Sequence, residues 1–283
     1  MIHTLGWSLL PGEIHEILYQ FIILGCVSAL LLSVAKGGFG GSMGLLSVPV
    51  MIYACGGNTQ LAIGVTLPLL IACDYVAMVS WWRKWDLRAV LLLLPGAVLG
   101  VALGAATLWA LLRLGGSAGA GASDRANAAL RLGIGLIAIG FVILQAIRAL
   151  RRRSLAFRPV FWQGTAVGTA AGYTSTLTHA AGPIVSMYML SQQMPKGTFV
   201  ATTVLYYWIG NQLKLLPYII LGLINTDTMG ASLLLVPAVV AGTLLGIFLH
   251  GRIEQKHFTA IVYVLLTFAG GDLIIKALGK LWP

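Results

Sequence analysis

Charged residues are scarce in this chain. They fill 9% of 283 positions, against about a quarter in soluble domains. With 58% hydrophobic residues besides, that scarcity excludes a water-facing globular domain. Carboxylates are rarer still, with eight Asp and Glu in the whole chain. One intramembrane aspartate and isolated histidines do not supply the paired carboxylates or nucleophile–base pair of an enzyme. Cysteine is limited to Cys26, Cys55 and Cys73, each alone in or beside an apolar run. That argues against a disulfide framework or a metal cluster and for small buried hydrophobes. A membrane thiol relay or assembly role through Cys26 and Cys73 is the alternative. No phosphate-binding loop is present, so no cofactor is expected, and coupling would have to use an ion gradient or the membrane potential. The first seventeen residues lack a basic n-region and a cleavage motif, so no removable signal peptide is expected.

What the chain does have is hydrophobic runs. Segments of the length that spans a bilayer, about twenty residues, lie at roughly 17–35, 60–81, 89–112, 130–148, 160–178, 198–221, 229–250 and 257–277. Two shorter runs, near 42–55 and 182–192, each follow a break: Lys36-Gly-Gly-Phe-Gly-Gly-Ser42 and Thr174-Ser-Thr-Leu-Thr-His-Ala-Ala-Gly182. Leu91–Gly104 (LLLLPGAVLGVALG) and Leu233–Gly246 (LLLVPAVVAGTLLG) agree at eight of fourteen positions. Ala146–Leu150 (AIRAL) and Ile274–Leu278 (IIKAL) also correspond. The reading is an all-α integral membrane protein of two repeats, 17–150 and 160–278, forming one membrane domain.

The net charge of +10 is dispersed between apolar runs. It follows the positive-inside pattern rather than a nucleic-acid-binding face. The richest basic loop, Arg148–Arg158, is assigned to the cytoplasm. Counting five segments each way then places Arg83, Lys84, Arg88, Lys196, Arg252 and Lys256 inside. Both termini fall outside a cell inner membrane, and Gly115–Ser123 (GGSAGAGAS) becomes a flexible external linker. Five segments per half make the repeats inverted, a transporter signature in which broken helices meet near the midplane. Counting four per half would make them parallel and expose Arg252 and Lys256 outside.

Inverted repeats direct attention to the breaks. Helix starts there offer backbone N–H groups to an anion, and Gly38, Gly41, Ser42 and Gly182 are candidates for such a cradle. The same glycines also serve close helix packing. Lys36 is either a snorkelling lysine or an anion ligand. His179, beside Thr178, is either a hydrogen-bonded core residue or its counterpart. Lys214 sits inside an apolar run, where a charge costs at least about 2.5 kcal/mol and usually lines a pathway. Asn211 shares its helix face. Asp74 reads as half of a structural ion pair or as a proton carrier, and Asp272 as an i,i+4 partner of Lys276.

Three stretches, Ala35–Pro49 (AKGGFGGSMGLLSVP), Thr178–Met189 (THAAGPIVSMYM) and Thr198–Gly222 (TFVATTVLYYWIGNQLKLLPYIILG), with the repeated LLLxPxxVxGxxLG element, resemble the TauE/SafE family of sulfite and organosulfonate exporters. The resemblance covers nearly the whole chain. Lys36 matches the family's KGGFGGG lysine and His179 the histidine of its HAGGPP motif, although Ala181 and Ile184 replace the usual Gly and Pro. Asn211 and Lys214 match its N-x-x-K. It implies a secondary transporter, or an anion channel of the same fold, whose substrate is a small inorganic or organic sulfur anion such as sulfite or sulfoacetate.

The orientation is testable in whole cells. A cysteine introduced beside Arg152 should resist an impermeant thiol reagent, whereas one at Ser117 should react; the opposite pattern would reverse the topology.

Overall fold

A computed structural model describes residues 11–39, 41, 46–116, 120–151, 160–250, 252 and 255–281. Among them are ten helices and no strand: α1 (Pro11–Phe39), α2 (Ser47–Ala54), α3 (Thr59–Ser80), α4 (Leu87–Gly116), α5 (Ala120–Arg151), α6 (Phe161–Thr178), α7 (Gly182–Ser191), α8 (Lys196–Ile220), α9 (Thr226–Leu249) and α10 (Gln255–Leu281). Four contain stretches long and apolar enough to cross a membrane: Leu18–Phe39, Thr59–Ser80, Leu87–Arg113 and Thr226–Leu249. The expected spans at 160–178 and 198–221 do form helices, α6 and α8, but they carry Thr, Ser, Asn, Gln and Lys residues and are too polar to meet that description. Apolar and polar residues are distributed as in a bilayer protein. Val79, Phe268 and Ile275 are 79%, 74% and 72% exposed, while Asp74, Thr176 and Lys214 are fully buried.

Two boundaries differ from the sequence reading. The GGSAGAGAS stretch is no nine-residue linker, because α4 continues to Gly116 and α5 begins at Ala120. Alanine, the best helix former, carries α5 backwards through Ala120 and Ala122. Likewise α1 continues through Lys36 and Gly38 to Phe39, and the described part of α2 runs from Ser47 to Ala54. Ser42 itself lies outside the described residues.

The first short helix turns back along its predecessor. Ser28 Oγ donates to the Ser47 carbonyl (2.7 Å) and Gln20 Nε2 to that of Tyr53 (3.0 Å), so α2 starts beside the middle of α1 and ends near its beginning. At eight and ten residues, α2 and α7 are about 12 and 15 Å long, half the hydrocarbon thickness.

Helices far apart in the chain pack together: α1 on α9, α6 on α4, α3 on α8 and α5 on α10. Glycine permits the closest approaches. A Cβ on Gly38 would collide with the Gly246 carbonyl, and one on Gly96 with the Thr165 carbonyl.

Lys84, Lys196 and His250 gather at one end. Trp81 Nε1 donates to the Gly37 carbonyl (3.1 Å), His250 Nδ1 to that of Gly38 (2.5 Å), and Lys196 Nζ to that of His250 (2.6 Å). The Trp81 and His250 rings meet edge-on at 5.0 Å, and Lys84 lies over Trp81. The ends of α1, α3 and α9 and the start of α8 therefore share one face. At the other end Tyr53 donates to Asp272, Lys276 pairs with Asp272 at 2.9 Å, and Arg131 donates to the Gly57 carbonyl.

The close backbone approaches carry a stability prediction. Gly38→Ala and Gly96→Ala should each lower thermal stability by about 1–3 kcal/mol, since a methyl must push a neighbouring carbonyl aside. Gly140→Ala, which meets nothing within 4 Å, should be neutral or stabilising through helix propensity. Melting the three purified variants in detergent would check it.

Candidate functional site

Helical periodicity assembles the polar centre. On α8, Tyr207, Asn211, Lys214 and Tyr218 follow one another at steps of four, three and four, which places them on one face, and all four are buried. Leu70, Asp74, Ala77 and Trp81 repeat those steps on α3. Where the two faces meet, Asn211 Nδ2 donates to Asp74 Oδ2 at 2.6 Å. Asp74 Oδ1 is ion-paired with Lys36 in the last turn of α1, and both side chains are nearly or fully buried. The Lys36 ammonium also lies 5.2 Å from the centre of the Tyr207 ring, a cation–π distance. Asp74 is thus half of an ion pair, and its lysine is Lys36.

Lys214 has neutral partners. Its Nζ donates to Ser175 Oγ (3.0 Å) and reaches His179 Nδ1 at 3.2 Å. An ammonium has only donors, so Nδ1 must accept, and the ring proton sits on Nε2, 3.0 Å from the Ile63 carbonyl. His179 is therefore the neutral Nε2–H tautomer. Local sequence explains its placement. His179 caps α6 at φ 55°, ψ 23°, a left-handed conformation in which His is enriched. Pro68 offers no N–H to the Gly64 carbonyl and loosens that turn of α3. The neighbouring carbonyls of Ile63 and Val65 accept side-chain donors from His179 and Ser232. Tyr218 closes the far side, donating to the Thr176 carbonyl at 2.7 Å.

Among the described residues no carboxylate lies within ion-pair distance of Lys214. Lys36 is matched by Asp74, and Asn211, Ser175 and His179 are neutral, so a protonated Lys214 has no counter-ion of its own in the centre. The centre borders a cavity of about 30 Å³ lined by Lys36, Ser47, Ser175, His179, Tyr207 and Asn211, together with Gly41 and Gly182. By that measure the cavity holds about two water molecules.

Of the residues singled out in the sequence, Lys36, Gly41, His179, Gly182 and Asn211 converge on this cavity, and Lys214 stands directly behind its Ser175 and His179 wall. Gly41 has φ 73° and packs against Tyr207, where a Cβ would not fit. Gly38 does not reach the cavity; it is a packing residue against α9. Thr178 is buried, but its hydroxyl bonds the Thr174 carbonyl of its own helix (2.9 Å). Ser47, Ser175 and Tyr207 were missed. The signal for Tyr207 was its i,i+4 relation to Asn211, and Ser175 lay within the second break.

The helices and this buried centre together make a polytopic membrane transporter. The chain belongs to the sulfite exporter TauE/SafE family, whose model matches residues 25–273 and so takes in every residue of the centre. No curated protein and no solved structure matches the chain.

A double-mutant cycle tests the ion pair. Asp74→Asn or Lys36→Met alone should cost about 3–5 kcal/mol by stranding a buried charge, whereas the double variant should recover most of it. Additive losses in thermal stability would contradict the pairing.

Proposed function

We propose that the chain is a secondary transporter that exports a small sulfur oxyanion, sulfite or an organosulfonate such as sulfoacetate, across the cytoplasmic membrane. The observation carrying this reading is the buried Lys214, which has no carboxylate partner among the described residues, behind a polar cavity. A desolvated cation without a counter-ion is stabilised when an anion enters, and discriminates against cations. Lys36, Ser47, Ser175, His179 and Asn211 form the binding surface, with Gly41 and Gly182 admitting the ligand to the starts of the two short helices. At its present size the cavity must widen for a sulfur oxyanion to enter, so binding and a change in helix packing belong to one step.

The two halves, 17–150 and 160–278, are read as inverted repeats. The exchanged packing of α1 on α9 and of α6 on α4, and the matching faces of α3 and α8, support this. With the Lys84–Lys196–Arg252 end in the cytoplasm, both chain ends lie outside. The negative-inside potential then favours anion efflux by about 2.3 kcal/mol per charge per 100 mV. A proton on Asp74 would free Lys36 from its partner and raise the charge of the centre by one, so Asp74 is the group through which proton coupling would act.

Lys214→Met retains the apolar stem and removes the charge. It should leave the protein folded but weaken sulfite binding about tenfold or more, the scale of a hydrogen bond to a charged group. Lys214→Arg should restore part of the loss, because a planar fork replaces a point charge. Calorimetry on stable purified variants checks this, and unchanged affinity in Lys214→Met would remove the residue from the site.

A further inference from the structure

The short helix α2 runs from the polar cavity to the end of the molecule opposite Lys196 and His250. Ser47 at its start lines the cavity. Tyr53 near its finish joins Asp272 and Lys276, whose side chains are 42% and 52% exposed. Between those points Val48, Met51 and Ile52 are buried, so α2 fills the intervening space with apolar side chains. Two ties hold its far end. The Tyr53 hydroxyl donates to Asp272 of α10, and the Lys276 ammonium lies 4.9 Å from the centre of the Tyr53 ring. Just beyond, Arg131 of α5 donates through Nη2 to the Gly57 carbonyl, in the turn from α2 to α3. Because α10 packs mainly along α5, both ties run to one helix pair.

These ties differ in kind from the Lys36–Asp74 pair. That pair is buried, and separating it strands two charges out of water. Asp272 and Lys276 are half in solvent, where an ion pair is weak and water takes the place of a broken bond. Opening this end therefore costs less than separating the buried pair.

The geometry points to α2 as a lid on the cavity, latched against the α5–α10 pair by Tyr53 on Asp272 and by Arg131 on the Gly57 carbonyl. Parting the two ties frees the far end of α2 and lets solvent and ligand reach Ser47 from that side. That this lid governs passage of the transported anion rests on the anion-site reading above.

The latch is testable without a ligand. The full chain carrying Ser47→Cys, in nanodiscs, is exposed to an impermeant thiosulfonate, and modification at position 47 is followed by site-resolved mass spectrometry. Tyr53→Phe removes only the hydroxyl, and Arg131→Met keeps the stem while removing the donors. Each should speed modification about threefold to tenfold, the scale of one lost hydrogen bond. The two together should multiply, since both ties oppose the same opening. Hydrogen exchange should quicken in Ser47–Ala54 and stay unchanged in Val200–Tyr207 of α8, which separates a released lid from a loosened fold. Modification unaltered by both substitutions, or quickened together with exchange in α8, overturns the inference. Sulfite calorimetry on the unaltered chain keeps the two readings apart. Sulfite bound with modification unmoved removes the lid and leaves the anion site standing; modification quickened with no sulfite bound does the reverse.

Discussion

An ion taken out of water keeps its charge only if something replaces the water, and in this fold that constraint organises the centre. Lys36 is satisfied by Asp74 and by the face of Tyr207; Asp74 also takes a hydrogen bond from Asn211. Lys214 is satisfied only by a hydroxyl, a carbonyl and an imidazole, which solvate a charge without cancelling it. α1, α3, α6 and α8 must all arrive at this point for those bonds to form. Breaks in the chain supply the irregular backbone, and burial within protein makes it tolerable at membrane depth.

Packing and electrostatics are coupled through residues of very different character. Glycines bring α1 onto α9 and α4 onto α6 at backbone contact, so the polar centre is enclosed by helices with almost no side chain between them. Tight walls exclude water, which strengthens the interactions inside. Looser walls would let solvent screen Lys214 and weaken its hold on an anion. The glycines therefore act on affinity from a distance, by fixing the dielectric in which the charges work.

The membrane class, the two short helices and most of the polar centre could be read from the sequence, because hydrophobic run length and intramembrane charge are local signals. Lys36, His179, Asn211 and Lys214 stood out as polar residues in apolar surroundings, and they do gather. Their pairings could not be read in advance. That Asp74 chooses Lys36 over Lys214 depends on which faces of α1, α3 and α8 meet, which is a tertiary fact. Gly38 misled because glycine marks both a chain break and a close contact; only the position of α9 decides between them. α1 runs on through the glycines to Phe39 because a helix tolerates them where a neighbouring helix packs closely. The helical extent of Ala120–Ser123 was obscured by treating Gly and Ser as linker chemistry while overlooking alanine.

The contact of Trp81 and His250 with α1 has a further consequence. The two carbonyls they hold, those of Gly37 and Gly38, immediately follow Lys36 along the chain. A lysine one residue from a clamped backbone cannot swing independently of the clamp. The ammonium that pairs with Asp74 thus hangs from a backbone held at the basic end of the molecule, so the electrostatics of the centre depend on contacts made outside it.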